Sequence, residues 1–182
     1  GAGVFFRNYS NAGYKTLYQD DLCYKNYWGM RIDMGSPGTW KDFMERIMAA
    51  GIDSTGLTHS SCLILNHNNV STPFAGPEGP LCYNGRFHHD YYLEYLYQRH
   101  KFASQHGVPL VTFTGLNTAH DHTGRRVQSM DFDLSRFIRQ IAQVPNTMTI
   151  LFADHGNTYA DYTFAVLEGR FEQFHPSFFL VL

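Results

Sequence analysis

Residues Asn146 to Gly156 read Asn-Thr-Met-Thr-Ile-Leu-Phe-Ala-Asp-His-Gly and give the clearest indication of the fold. Residues 148–153 form a short apolar run with the length of a buried strand. A second such run lies at 108–114, and between the two an apolar face recurs at helical spacing over 127–142. Strand, helix and strand in this order predict a βαβ unit, whose two strands are parallel.

The rest of the chain continues the alternation of helices and strands. Helical spacing is found at residues 4–9, 40–48 and 87–102, and a short strand is predicted at 14–18. Residues 23–37 and 66–85 are rich in turn formers, so we expect loops there. The last residues, 177–182, have the composition of another buried strand. The pattern predicts an α/β fold.

Composition limits the classes of protein to consider. The 182 residues are 43% hydrophobic, which is enough for one domain or for part of a larger one. The 14 Lys and Arg are scattered and balanced by 16 Asp and Glu, which argues against a nucleic-acid partner. We find no apolar run long enough to span a bilayer. Because the chain begins with Gly-Ala-Gly and no Met, we expect it to be a fragment.

Three cysteines and two glycosylation sequons bear on the compartment. We predict that Cys62 and Cys82, which flank the second loop, pair if the protein is exported, with Cys23 as the alternative partner of either. Three unpaired thiols are the other possibility. Asn8-Tyr9-Ser10 and Asn69-Val70-Ser71 are sequons that fit a secreted protein.

Polar residues follow both strands of the predicted βαβ unit. The first strand runs into a loop with His120, Asp121 and His122, and the second runs directly into Asp154 and His155. The carboxyl ends of parallel strands meet at one edge of a sheet, so both groups should face one crevice. Asp and His beside each other suit a divalent metal. The alternative is a turn in which Asp154 caps the next helix and His155 is solvated.

Residues 146–156 also resemble the signature of the sulfatase and alkaline-phosphatase superfamily. The helix around 130–141 and the segment 168–176 resemble the flanking motifs of that superfamily in order and spacing. Residues 12–16 followed by Asp20 and Asp21, together with 119–121, are similar to an uncharacterised animal branch, the domain of unknown function family 229.

The superfamily resemblance implies a fold and a set of site residues. The fold is a three-layer α/β/α sandwich with a mainly parallel central sheet, of which residues 1–182 would be a partial domain without the N-terminal nucleophile segment. Asp154 and His155 match metal ligands, for zinc, manganese or calcium. His120 matches a catalytic histidine that faces the phosphate or sulfate; the alternative is a loop histidine with local hydrogen bonds. The nucleotide pyrophosphatases of the superfamily, which bind two zinc ions, have an Asp and a His four residues apart before the long helix. Here the residue four after Asp121 is Arg125, so a single-metal site fits better than a two-zinc site.

The implied function is that of a metal-dependent hydrolase or transferase of phosphate or sulfate esters. The ester would be a small molecule, a glycan or a lipid, and the location extracellular or the lumen of the secretory pathway. This chain alone should be inactive. The alternative is a secreted binding or interaction protein that keeps the fold without catalysis. A Rossmann-type nucleotide binder is disfavoured because no GxGxxG follows a strand.

Overall fold

A computed structural model describes residues 2–21, 40–67, 82–120, 125–156, 163 and 165–182. The helices are α1 (Ala2–Asn11), α2 (Trp40–Ala49), α3 (Thr58–His67), α4 (His88–Gln105), α5 (Arg125–Ile141) and α6 (Leu167–Phe174). The strands are β1 (Lys15–Asp20), β2 (Cys82–Tyr83), β3 (Arg86–Phe87), β4 (Leu110–Gly115), β5 (Thr149–Phe152) and β6 (Phe178–Val181). The fold is therefore mixed α/β, as the sequence predicts.

The described strands form three pairs. β1 and β4 are parallel, in register from Lys15 opposite Leu110 to Asp20 opposite Gly115. β5 and β6 are antiparallel, and β2 and β3 form a short hairpin. Among these strands β4 and β5 are not hydrogen-bonded to each other, so the described residues do not contain the single parallel sheet predicted from β4, α5 and β5. Strand periodicity identifies a strand but does not choose its partner.

Helices lie on both faces of the β1–β4 pair. On one face Tyr18 stacks on Phe113, with ring centroids 5.5 Å apart, in a core shared with α1, α2 and α3. The buried members of that core are Phe6, Tyr18, Phe43, Ile47, Ala50, Ile52 and Cys62. On the other face, His100 of α4 contacts Thr112 Oγ1 through Nε2 at 2.9 Å. A second core joins α4 to α5 through Leu93, Phe137, Ile141 and Val144.

Three local features were not predicted: α3, α6 and the β2–β3 hairpin. Helix α3 lies where we predicted no element, because its apolar residues do not share one face: Leu65 is buried while Leu63 and Ile64 are exposed. The predicted loop at 66–85 in fact begins with the end of α3 and finishes with the β2–β3 hairpin. Asn84 and Gly85 both have positive φ, 48° and 73°, the conformation that a two-residue hairpin turn requires. Residues 23–37 and 68–81 of the predicted loops lie outside the described ranges.

The β5–β6 pair is more exposed than the sequence suggested. Residues of both strands were expected to be buried, yet Phe152 is 61% exposed and Phe178 is 67% exposed. Leu167, Phe171 and Phe174 of α6 are exposed as well. An apolar run favours burial of a segment, but whether another element covers that segment depends on tertiary packing.

The predicted pairing of Cys62 with Cys82 is wrong. Cys62 is disulfide-bonded and lies buried in the first core, whereas Cys82 is a free, exposed thiol at the start of β2. Cys23, the alternative partner, lies outside the described residues. Flanking a loop does not bring two cysteines within bonding distance, because a disulfide depends on Cα separation and side-chain direction.

In the part of the chain that the structure describes, no helix combines the length and the apolar character that crossing a bilayer requires.

Candidate functional site

Asp154 and His155 lie side by side on the turn that follows β5. Nε2 of His155 is 3.7 Å from Oδ2 of Asp154, and the His155 N–H donates to Oδ1 of Asp154 at 3.0 Å. Nδ1 of His155 lies 2.7 Å from the carbonyl oxygen of Gly156. A carbonyl oxygen can only accept, so Nδ1 carries a proton, which leaves Nε2 as the ring nitrogen available to a metal next to the Asp154 carboxylate.

This arrangement meets two requirements of a metal-ligand pair. Two atoms 3.7 Å apart can both lie about 2.0–2.2 Å from one ion, at an angle of roughly 120°. Ligand histidines typically donate their other ring N–H to a carbonyl or carboxylate, as His155 does. The described residues include no group of three or more His, Cys, Asp and Glu side chains arranged to hold an ion. The pair would therefore supply only part of a ligand set. The alternative, a cap on a following helix, involves residues outside the described ranges.

Gly156 fixes this turn against α6. Its N–H donates to the carbonyl of Gln173 at 3.0 Å. A Cβ at this position would lie 2.8 Å from the Glu172 carbonyl carbon and 3.1 Å from the Gln173 Cα. Glycine is therefore required by the close approach of two backbones. Helix α6 thus determines where Asp154 and His155 lie.

His120 is held by a turn that follows β4. Its N–H donates to the carbonyl oxygen of Asn117 at 2.9 Å, and its side chain is partly exposed. Asn117 itself is buried. Asp121 and His122, the other polar residues of this loop, lie outside the described ranges. The position of His120 therefore depends on what anchors Asn117.

Two buried carboxylates anchor Asn117. Its backbone N–H donates to Oδ2 of Asp21 and its Nδ2 to Oδ1 of Asp21, both at 2.7 Å. Nδ2 also donates to Oδ1 of Asp20 at 3.1 Å. Asp20 and Asp21 are both fully buried at the carboxyl end of β1. The ends of β1 and β4 are thus tied together by charge-assisted hydrogen bonds.

Side chains of neighbouring elements complete this cluster. The Tyr18 hydroxyl donates to Oδ2 of Asp20 at 3.0 Å, and the Asp20 N–H donates to Oγ1 of Thr58 at 2.9 Å. The Tyr92 hydroxyl of α4 donates to the Asp20 carbonyl at 3.1 Å. Burial raises the pKa of Tyr92, so it stays a donor. Helices α3 and α4 are in this way held at the same strand end.

Asp20 and Asp21 were singled out in the sequence only as part of the family resemblance, and their place in this buried cluster was not predicted. A usable signal was present, because ligands and polar clusters gather at the carboxyl ends of parallel strands, and the rule applies to β1 as much as to β4. It could not be applied without knowing that β1 pairs with β4. That pairing joins residues about 95 positions apart, 15 and 110, and local periodicity does not contain it.

A buried serine–histidine pair lies nearby, between α3 and α4. Oγ of Ser61 is 2.7 Å from Nε2 of His88, and both residues are buried. Burial, with a smaller contribution from His89, lowers the pKa of His88 to about 4. The imidazole is therefore neutral at pH 7. Enclosed in this way, the pair serves to hold the two helices together.

Ion pairs also join α4 to α5. Asp133 is buried and contacts His89 Nε2 and Arg136 Nη2, each at 3.1 Å. Arg136 also pairs with Asp90, which Arg86 contacts through Nε at 2.7 Å. Asp133 was not among the predicted site residues, and the structure places it in a buried pair between the two helices.

The predicted site residues follow strands β4 and β5, which lie near each other. The rings of Phe113 in β4 and Phe152 in β5 are 6.4 Å apart between centroids. Asn117 follows Phe113 by four residues, and Asp154 follows Phe152 by two. The two sheets therefore approach each other close to the segments that carry His120 and the Asp154–His155 pair.

Comparison with known proteins gives one match. No curated protein and no solved structure matches the chain. The family model described as "Protein of unknown function (DUF229)" matches residues 3–182. Because that match covers nearly the whole chain, the chain belongs to the DUF229 family of proteins of unknown function.

Proposed function

We propose that this chain is the metal-binding part of a hydrolase or transferase that acts on phosphate or sulfate esters. The observation that carries the proposal is the Asp154–His155 pair, with its 3.7 Å spacing and with Nδ1 of His155 donating to the Gly156 carbonyl. A carboxylate beside an oriented imidazole suits zinc or manganese, and calcium would rely mainly on the carboxylate. The remaining ligands would come from other parts of the domain.

The fold that fits this proposal is the three-layer sandwich of the alkaline-phosphatase-like proteins. Helices already cover both faces of β1 and β4. The β5–β6 pair has apolar side chains exposed on its strands, which is typical of a sheet whose neighbours are incomplete. We infer that both pairs belong to one larger, mainly parallel sheet, which would align the carboxyl ends of β4 and β5.

Each candidate site residue has a defined task in this mechanism. A bound divalent ion would lower the pKa of a nucleophilic hydroxyl and offset charge on the transferred group. Asp154 and His155 would hold that ion. His120 would donate a hydrogen bond to a non-bridging oxygen of the ester or protonate the leaving group. Asn117, with Asp20 and Asp21, would keep His120 in place.

The test uses the full-length protein, with metal content and ester hydrolysis as separate readouts. Asp154→Ala should lower bound zinc, manganese or calcium and abolish hydrolysis of an aryl phosphate or aryl sulfate. Asp131→Ala is the matched control, because Asp131 is an exposed carboxylate on α5 away from the turn. Full activity and full metal content in Asp154→Ala would refute the metal role.

The competing function is a secreted binding protein that keeps the fold without catalysis. Metal bound by Asp154 and His155 with no turnover of any ester would favour it. If the full-length protein has a segment before Gly1 of this chain, a Ser, Thr or Cys nucleophile next to an acidic ligand in that segment would favour the enzyme.

A further inference from the structure

The sequon Asn8-Tyr9-Ser10 lies on the outer face of α1. Asn8 is exposed, whereas Phe6 is buried in the first core. The inner side of the helix packs on the end of α2, where Arg7 Nη2 donates to the Ala49 carbonyl at 2.8 Å. A substituent on the Asn8 side chain would project into solvent and disturb neither contact.

Exposed aromatic rings lie near Asn8 on α1 and on the turn that follows this helix. Phe5, Tyr9 and Tyr14 form an aromatic strip in which successive ring centroids lie 4.9 Å and 5.2 Å apart. Between 37% and 45% of each residue is exposed. Phe5 is at position i−3 from Asn8, so the two side chains are neighbours on the helix surface. Sugar C–H groups pack readily on aromatic faces, so the innermost sugar of a glycan on Asn8 could cover this strip.

An independent feature points to the compartment in which such a glycan is made. Cys62 is disulfide-bonded inside the core. Structural disulfides form and persist in oxidising compartments and are rare in the cytosol. The sequon, the aromatic strip and the disulfide thus all fit an N-glycosylated protein. None of these three observations depends on the proposed catalytic activity.

We propose that Asn8 carries an N-linked glycan whose innermost sugar lies on the strip of Phe5, Tyr9 and Tyr14. In the transfer, the Asn8 amide nitrogen forms a bond to the anomeric carbon of a polyprenol-diphosphate oligosaccharide. The bond from that carbon to the diphosphate breaks, and the amide loses one proton as the diphosphate departs. Acceptor sequons are typically found in loops, and Asn8 lies within α1, so transfer would precede the folding of this helix.

The glycan would lie away from the candidate site. Tyr14, which donates its N–H to the Tyr9 carbonyl at 3.0 Å, comes directly before the amino end of β1. Asp20 is at the other end of that strand, five residues on from Lys15, which corresponds to roughly 17 Å. A glycan on Asn8 would therefore leave access to His120, Asp154 and His155 open.

The experiment expresses the full-length protein in animal cells and identifies the modified residue. Peptide N-glycosidase in heavy-oxygen water converts a glycosylated Asn to a labelled Asp, which mass spectrometry assigns to a position. We expect label at Asn8 in most molecules, its loss in Asn8→Gln and Ser10→Ala, and its retention in Ser10→Thr. Asn11→Gln is the matched control on the same helix, because Ala12 and Gly13 follow Asn11 and form no sequon.

A second readout tests the contact with the aromatic strip. Removing the glycan from the folded protein should lower its Tm, and this decrease should be absent in Phe5→Ala, which leaves the sequon intact. An unlabelled Asn8 would overturn the proposal, and an unchanged Tm effect in Phe5→Ala would overturn the sugar–aromatic contact. Neither result depends on ester hydrolysis, so both are separate from the outcome for the proposed function.

Discussion

Asn117 binds Asp21 at two points, with its backbone N–H and its side-chain Nδ2 each 2.7 Å from a different carboxylate oxygen. The two hydrogen bonds cross from the end of β4 to the end of β1. Both residues are buried, so no water replaces a bond that is lost.

The first prediction concerns this pair. Asp21→Asn should lower the free energy of unfolding by about 2–3 kcal/mol, because an amide donor then faces the Asn117 donors. Asn117→Asp should be destabilising as well, since it adds a third carboxylate. Urea unfolding at pH 7 measures both effects, with Asp131→Asn as the exposed control.

Exchange of the two side chains tests whether they act as a pair. The double variant Asp21→Asn with Asn117→Asp restores a donor opposite an acceptor, so it should be more stable than Asn117→Asp alone. If the two single effects simply add in the double variant, the coupling between Asn117 and Asp21 is contradicted.

The second prediction concerns Gly156. A Cβ would lie 2.8 Å from the Glu172 carbonyl carbon, so Gly156→Ala must push the turn away from α6. We expect a loss of about 1–3 kcal/mol in unfolding free energy, with weaker metal binding to the full-length protein.

The matched control is Gly3→Ala on α1. A Cβ there would make an ordinary contact with Ala50 at 3.7 Å. Alanine also has the higher helix propensity, so this change should be neutral or stabilising by up to about 1 kcal/mol. Equal stability of Gly156→Ala and wild type would show that the turn does not need glycine.

The third prediction is a pH dependence that arises from His88. Its pKa falls from 6.5 to about 4 on folding. Between these values the unfolded chain binds a proton that the folded chain does not, so the stabilisation is complete above pH 6.5 and decreases as the pH falls towards 4. The difference corresponds to about 3 kcal/mol.

Unfolding free energies measured between pH 7 and pH 4 test this assignment. His88→Gln should reduce the slope across that range, while some slope should remain because burial also lowers the pKa of His89. His106→Gln, at an exposed position, is the control and should keep the wild-type slope. A slope unchanged by His88→Gln would exclude His88 as its source.

The fourth prediction separates the two described cysteines by reactivity. In the folded, non-reduced protein, iodoacetamide should modify Cys82 and leave Cys62 unmodified, because only Cys82 is a free, exposed thiol. Reduction should then lower the free energy of unfolding by about 2–5 kcal/mol. Peptide mapping by mass spectrometry identifies the labelled residue, and modification of Cys62 before reduction would contradict the structure.

Several elements could be read from the sequence because local physics specifies them. Helices α2, α4 and α5 each keep apolar residues at helical spacing, and all three occur where the pattern predicts them. Strand β5 and the Asp154–His155 turn were also located correctly along the chain. Membership of the DUF229 family was predicted from other residues, 12–16 with Asp20 and Asp21 and 119–121, and the match over residues 3–182 confirms it.

Local patterns therefore specified most of the helices and strands and their order, since helical and strand periodicity are properties of neighbouring residues, but they did not specify α3, α6 or the β2–β3 hairpin. The tertiary structure decided which strands pair, that Cys82 is free, that Asp20, Asp21 and Asp133 are buried, and that Gly156 is needed for contact with α6. Each of these depends on residues distant in sequence, and their proximity is set by how whole elements pack, which local patterns do not encode.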